Sequence, residues 1–119
     1  MKESEILRKV LNKLETLQMA KVIIWFSRLN SGKACVGKSW IQFCKAGTPD
    51  IISIIDCIDK IVVLFIECKR TGVKKIRFEQ EQFFDQMKEE IGIYCTVIND
   101  PEQLYGIIRD IREHEITFN

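Results

Sequence analysis

Asp50, Glu67 and Lys69 are two carboxylates and an ammonium that could act together on one substrate. Residues Ile61 to Ile66 form an unbroken apolar run between Lys60 and Glu67, which reads as a strand covered on both faces. Charges at the end of such a strand are costly unless they are paired. A loop centred between Ile58 and Asp59 folds this run back on residues 50 to 56 and pairs positions whose numbers sum to 117, so Asp50 falls opposite Glu67. Opposed residues of antiparallel strands share a face, with Cβ atoms roughly 4.5 to 5.5 Å apart. Lys69 joins them there because side chains alternate along a strand. Two carboxylates at this separation repel one another, and a divalent cation removes the conflict. Mg²⁺ suits the position, since it is commonly held by one or two carboxylates, waters and a substrate phosphate. The backbone carbonyl of Cys68 could add an oxygen ligand, its thiol pointing to the opposite, helix-covered face. An ammonium at Lys69 could orient or help deprotonate a water and stabilise charge gathering on a scissile phosphate. The alternative is a surface ion pair between Glu67 and Lys69, with Asp50 merely starting a strand after Pro49.

The elements that must position these residues follow from periodicity. Ile6, Val10, Leu14 and Leu17 recur at helical spacing and place a helix near residues 3 to 18. Residues 21 to 29 are rich in β-branched and aromatic side chains and read as a strand, ended by a turn at Asn30, Ser31 and Gly32. A strand near residues 39 to 44 follows, then the break Gly47-Thr48-Pro49, then strands over 50 to 56 and 61 to 69. Ile76, Phe83, Phe84, Met87 and Ile91 mark one face of a helix that Gly92 ends. Residues 93 to 98 form a last strand, and Pro101 opens a helix carrying Leu104, Ile107, Ile108 and Ile111. The order α-β-β-β-β-α-β-α predicts an α/β fold, a mixed sheet with helices on its two faces. Trp25 and Trp40 are expected in core or hairpin packing.

The totals exclude several classes of function. A chain of 119 residues is expected to be one domain, residues 1–119, with a single core. Five cysteines without a Cys-x-x-Cys pair or a neighbouring histidine suggest neither a zinc site nor a disulfide framework. His114, the only histidine, sits in a charged helix end, which argues against a Ser-His-Asp or Cys-His mechanism. The N-terminus reads as a charged helix and no apolar run approaches a membrane span, so a cytoplasmic protein with no membrane partner is expected.

Net charge is only +1, but it is unevenly placed: residues 28 to 77 hold ten Lys and Arg against four Asp and Glu, and the remainder is acidic. Arg28, Lys33, Lys38, Lys45, Lys69, Arg70, Lys74, Lys75 and Arg77 are expected to form a positive surface of the kind that engages phosphates.

Pro49-Asp50, sixteen residues, then Glu67-Cys68-Lys69 resembles the PD-(D/E)XK nuclease signature. Arg28-Leu29-Asn30-Ser31-Gly32, the segment from Trp40 to Ile52, Phe65-Ile66-Glu67-Cys68-Lys69 and Ile76-Arg77-Phe78-Glu79-Gln80 follow in the order seen in the VRR-NUC (virus-type replication-repair nuclease) branch of that superfamily. The resemblance spans nearly the whole chain. It implies a restriction-endonuclease-like fold in which Asp50 and Glu67 bind the metal and Lys69 assists the water. It further implies that Gln80, at the start of the helix after the catalytic strand, faces the site, whereas Gln82 points elsewhere. Glu3 matches the branch's N-terminal acid, a further metal ligand, with Glu5 as the alternative. The chain departs from the branch before Glu79-Gln80, where Phe78 stands in place of a common proline.

The function so implied is a Mg²⁺- or Mn²⁺-dependent, structure-specific DNA endonuclease, resembling a Holliday-junction resolvase and working as a homodimer on branched DNA. Arg28, Asn30, Lys33, Lys38, Lys45, Arg70, Lys74, Lys75 and Arg77 are then its expected DNA contacts. The alternatives are a flap, single-strand or nicking nuclease, and a catalytically silent DNA-binding module of the same fold.

Overall fold

The hairpin that carries the candidate residues forms in the register its loop symmetry predicts. Strands Ile51–Asp56 and Ile61–Cys68 pair antiparallel with Ile51 opposite Ile66, Ile52 opposite Phe65 and Asp56 opposite Ile61. The loop tip is held by Asp56, whose Oδ1 accepts the Ile58 amide at 2.9 Å, and Ile58 takes a positive φ of 76°. A computed structural model describes the backbone of residues 1–29, 33–42 and 44–117, and the side chains of residues 1–29, 37–39 and 44–116.

In chain order the elements are α1 (Glu3–Met19), β1 (Ile23–Arg28), β2 (Lys33–Val36), β3 (Ser39–Gln42), β4 (Ile51–Asp56), β5 (Ile61–Cys68), α2 (Phe78–Met87), β6 (Ile93–Ile98) and α3 (Gln103–Thr117). Four strands make an open mixed sheet in the order β1-β4-β5-β6, with β5 and β6 parallel and the other pairs antiparallel. The α/β class and the mixed sheet therefore stand as expected. β2 is an addition: it pairs with β3 as a separate two-stranded ribbon around Gly37 and Lys38, with Gly37 at a positive φ of 63°. A two-residue loop with glycine first suits the twist of such a ribbon.

Alternation along the central strands decides which helix covers which face. Ile51 and Ile55 of β4 and Val62, Leu64, Ile66 and Cys68 of β5 are buried with Ile6, Val10 and Leu14 of α1 and Leu104, Ile108 and Ile111 of α3. Ser53 shares this apolar face and is tolerated because its Oγ donates to the Leu64 carbonyl at 2.9 Å. On the opposite face, Phe65 meets Phe83 of α2 edge to face, with ring centroids 5.0 Å apart. The far end of α3 is anchored to the hairpin: Arg112 Nε donates to the Asp56 carbonyl at 2.9 Å, and Lys60 pairs with Glu115 at 2.6 Å.

Two sequence expectations change here. α2 is shorter than the span from Ile76 to Ile91, because it ends at Met87 before the acidic Glu89 and Glu90, and Ile91 is fully exposed outside it. Trp25 lies opposite Ile54 on the α2 side of the sheet, beyond the reach of a ten-residue helix, and is half-exposed rather than in the core. The side chain of Trp40 lies outside the described residues. Among the described residues no helix is long and apolar enough to cross a membrane.

Candidate active site

Asp50 and Glu67 continue the β4–β5 register by one pair beyond Ile51 and Ile66. That parity puts them on the Phe65 side of the sheet, under α2. Asp50 is fixed twice: its carbonyl accepts the Leu29 amide at 2.7 Å, and its Oδ2 accepts the Cys68 amide at 2.8 Å. Cys68 accordingly meets the site through its backbone, while its thiol is buried in the core and pushed up in pKa by that burial and by the carboxylates nearby. Lys69 is held by its own amide, which donates to the Ile98 carbonyl at 2.9 Å and carries β5 past its last ladder residue.

Glu67 is only 2% exposed. Burial, then hydrogen bonding to Asp50 and the charge of Asp50, push its carboxyl well above the usual carboxylate range, with Lys69 pulling the other way. Gln80, the one buried residue of α2, organises the rest. Its Nε2 donates to Glu67 Oε2, and its Oε1 accepts from Lys69 Nζ at 3.2 Å and from the Arg77 amide at 2.8 Å. The last of these bonds is the returning half of a capping box, so one side chain starts α2 and bridges Glu67 to Lys69. Gln82 is exposed, as its position on the helix requires.

The loop before Asp50 also belongs to the site, a feature that sequence reasoning treated only as a break. Gly47 is buried at a φ of 90°, and a Cβ there would fall 2.6 Å from the carbonyl carbon of Glu79. The loop thus packs directly under the first turn of α2, and only glycine allows that approach. The glycine before Thr48-Pro49 marks a turn in the sequence, but its contact with α2 is defined only by the packed fold.

Among the described residues no three His, Cys, Asp or Glu side chains converge on one point. The candidate oxygen donors are Asp50 and Glu67, close enough for their repulsion to raise one pKa. This donor set fits a hard divalent cation that keeps several waters. Glu3 is exposed and does not close the set, although its negative charge is felt at Glu67. Glu5 instead lines a cleft with Lys2 and Arg70.

The expected basic surface is only partly assembled around this site. Arg70, Lys74, Lys75 and Arg77 are exposed along the segment between β5 and α2, and Lys45 is exposed just before the Gly47 loop. Arg28 faces the other way: its cross-strand partner is Ile51, which alternates with Asp50 and lies on the core face, and it lines a groove with Ser4, Leu7 and Arg8 of α1. Lys38 is exposed in the β2–β3 turn. Asn30 and the Lys33 side chain lie outside the described residues.

The four described ion pairs use Lys13, Lys60, Lys88 and Arg109. None of Arg70, Lys74, Lys75 and Arg77 has a carboxylate partner among the described residues. Comparison with models of known families, with curated proteins and with solved structures found no match to this chain.

Proposed function

We propose that the chain is a metal-dependent DNA endonuclease of the VRR-NUC type that hydrolyses phosphodiester bonds in branched DNA. The observation that carries this reading is the continuous cluster Asp50, Glu67, Gln80 and Lys69 at one end of the sheet, with unpaired cations on the segment beside it. Ordinary surface ion pairs do not account for it, since Glu67 is buried and Lys69 bonds Gln80 rather than a carboxylate. The resemblance of the Pro49-Asp50 and Glu67-Cys68-Lys69 segments to the nuclease signature supports the same conclusion.

Asp50 and Glu67 would hold the cation, Mg²⁺ or Mn²⁺. When bound, such an ion supplies a Lewis acid for a phosphoryl oxygen and makes a bound water more acidic. Gln80 fixes the positions of Glu67 and Lys69 relative to each other before any substrate arrives, a preorganisation that costs nothing at the moment of reaction. Lys69, tethered by one hydrogen bond at 3.2 Å, keeps donors free for an attacking water or for the oxygens of the scissile phosphate. The cationic segment from Arg70 to Arg77 receives the strand.

Incubation with labelled four-way junction, flap, single strand and linear duplex, in Mg²⁺, Mn²⁺ or EDTA, tests the activity. Metal-dependent cleavage with preference for the junction is expected. Cleavage confined to flaps or single strands would replace the branched-DNA preference, and binding without cleavage under every condition would make the chain a silent binding module. Paired incision of a junction needs two sites related by symmetry, so light scattering is expected to give the mass of a homodimer. A strict monomer would rule out the resolvase form of the reading.

A further inference from the structure

One residue beyond Lys69 the chain makes a turn. The Val73 amide donates to the Arg70 carbonyl at 3.1 Å, and Gly72 takes a positive φ of 84°. The Thr71 amide donates to the Met1 carbonyl at 3.1 Å and sets this turn against the start of α1. Lys2 and Glu5 line a shallow cleft with Arg70, Thr71, Gly72 and Val73. Lys2 and Arg70 are exposed, and neither makes an ion pair among the described residues even though Glu5 lines the same cleft. Among the described residues that line the cleft, Glu5 carries the only acidic side chain, against the two cationic side chains of Lys2 and Arg70. A Cβ on Gly72 would meet nothing within 4 Å, so the floor of the turn is open to an approaching ligand.

We propose that the cleft between Lys2 and Arg70 seats a backbone phosphate next to the scissile one on the cleaved strand. The identity of the strand rests on the nuclease reading above; the preference for an anion rests on the cleft itself. Arg70 follows Lys69 directly, and consecutive Cα atoms are about 3.8 Å apart, so a strand whose phosphate reaches Lys69 has this turn beside it. A guanidinium offers paired donors to two phosphate oxygens, and the Lys2 ammonium adds a point charge. The two cationic side chains outnumber the single Glu5 carboxylate, which leaves the cleft attractive to an anion such as a phosphodiester. Occupancy here would fix the direction in which the strand crosses the site, and so which neighbour of the scissile bond is read.

The test uses four-way junctions in which one methylphosphonate linkage, uncharged, is moved along the cleaved strand through the cleavage point. Binding is read by fluorescence anisotropy in EDTA and cleavage in Mg²⁺, for wild type and for a Lys2→Ala/Arg70→Ala variant whose melting temperature confirms folding. For wild type, neutralising the linkage beside the scissile one is expected to weaken binding about tenfold, the worth of one charge-assisted contact. The variant should lose sensitivity at that position alone and keep it elsewhere. An identical position profile for variant and wild type would overturn the proposal. A variant-dependent position in the binding scan from a protein that cleaves nothing would uphold the phosphate seat and overturn the nuclease reading. Absence of DNA binding would overturn both.

Discussion

Replacing Gly47 with alanine should damage stability and activity together, and the structure sets the size of the effect. Gly47 holds a φ of 90°, a conformation that costs a residue with a Cβ about 1–2 kcal/mol. The new methyl would also fall 2.6 Å from the carbonyl carbon of Glu79, which is backbone in the first turn of α2 and cannot rotate away. Overpacking of this kind costs about 1–3 kcal/mol. The two terms together give about 2–5 kcal/mol, a fall in Tm of about 8–20 °C at about 4 °C per kcal/mol for a domain of this size. Gly92→Ala is the matched control: its φ is 81°, but the added methyl touches nothing, so about 1–2 kcal/mol and about 4–8 °C are expected. Circular-dichroism melts of both variants measure the difference, and cleavage assayed well below each Tm measures the site. Because relief of the overlap displaces the start of α2, Gln80 leaves Glu67 and Lys69, and Gly47→Ala should lose most activity while Gly92→Ala keeps it. Equal Tm losses in the two variants would refute the argument, since the Glu79 contact would then count for nothing.

In EDTA the Tm of the wild type should fall as pH rises from about 5 to about 8, because Glu67 keeps its proton in the folded state at pH values where the unfolded chain has lost it. Stability is lost through the interval between the ordinary carboxylate range and the raised folded pKa, and Glu67→Gln should remove that slope and be the more stable protein at pH 8. Lys69→Ala should lower kcat by about 100-fold or more while changing DNA affinity little, in keeping with a transition-state role; equal losses in both would make it a phosphate contact. Lys74→Ala combined with Lys75→Ala should flatten the dependence of log K on log salt by about 2, as two phosphate contacts are removed. An unchanged slope would move the DNA surface away from the segment before α2.

What the sequence made legible was whatever periodicity or loop symmetry determines. The buried faces of α1 and α3 follow from apolar residues at helical spacing. The pairing of Asp50 with Glu67 follows from a hairpin centred on Ile58 and Asp59, since a buried face fixes register by the cost of turning every apolar side chain outward. β2 escaped notice because four residues, Lys33–Val36, hold too short a pattern to register, although Gly37-Lys38 was a usable turn signal. The end of α2 was misplaced because Ile91 fits the helical period without being needed by the core. Gln80 was named through resemblance alone; no spacing rule shows that an amide will be the one buried residue of its helix. The orientation of Arg28 was open to reasoning, since its parity against Asp50 follows once β1 is paired with β4. The contact of Gly47 with Glu79 was not, because it joins residues whose approach only the packed fold defines.

Asp50 and Glu67 are proposed to form a cation-dependent centre for phosphodiester hydrolysis, and replacing each carboxylate by its amide isolates that role. Wild type, Asp50→Asn and Glu67→Gln are incubated with the same end-labelled branched DNA in Mg²⁺, with binding and melting temperature measured in parallel. Asparagine retains an oxygen to accept the Cys68 amide, and glutamine retains one to accept from Gln80, so both variants should stay folded and bind DNA. Cleavage by wild type, abolished by EDTA, is expected, with none above background from either variant. Cleavage at the wild-type rate by Asp50→Asn or Glu67→Gln, or by wild type in EDTA, would contradict it.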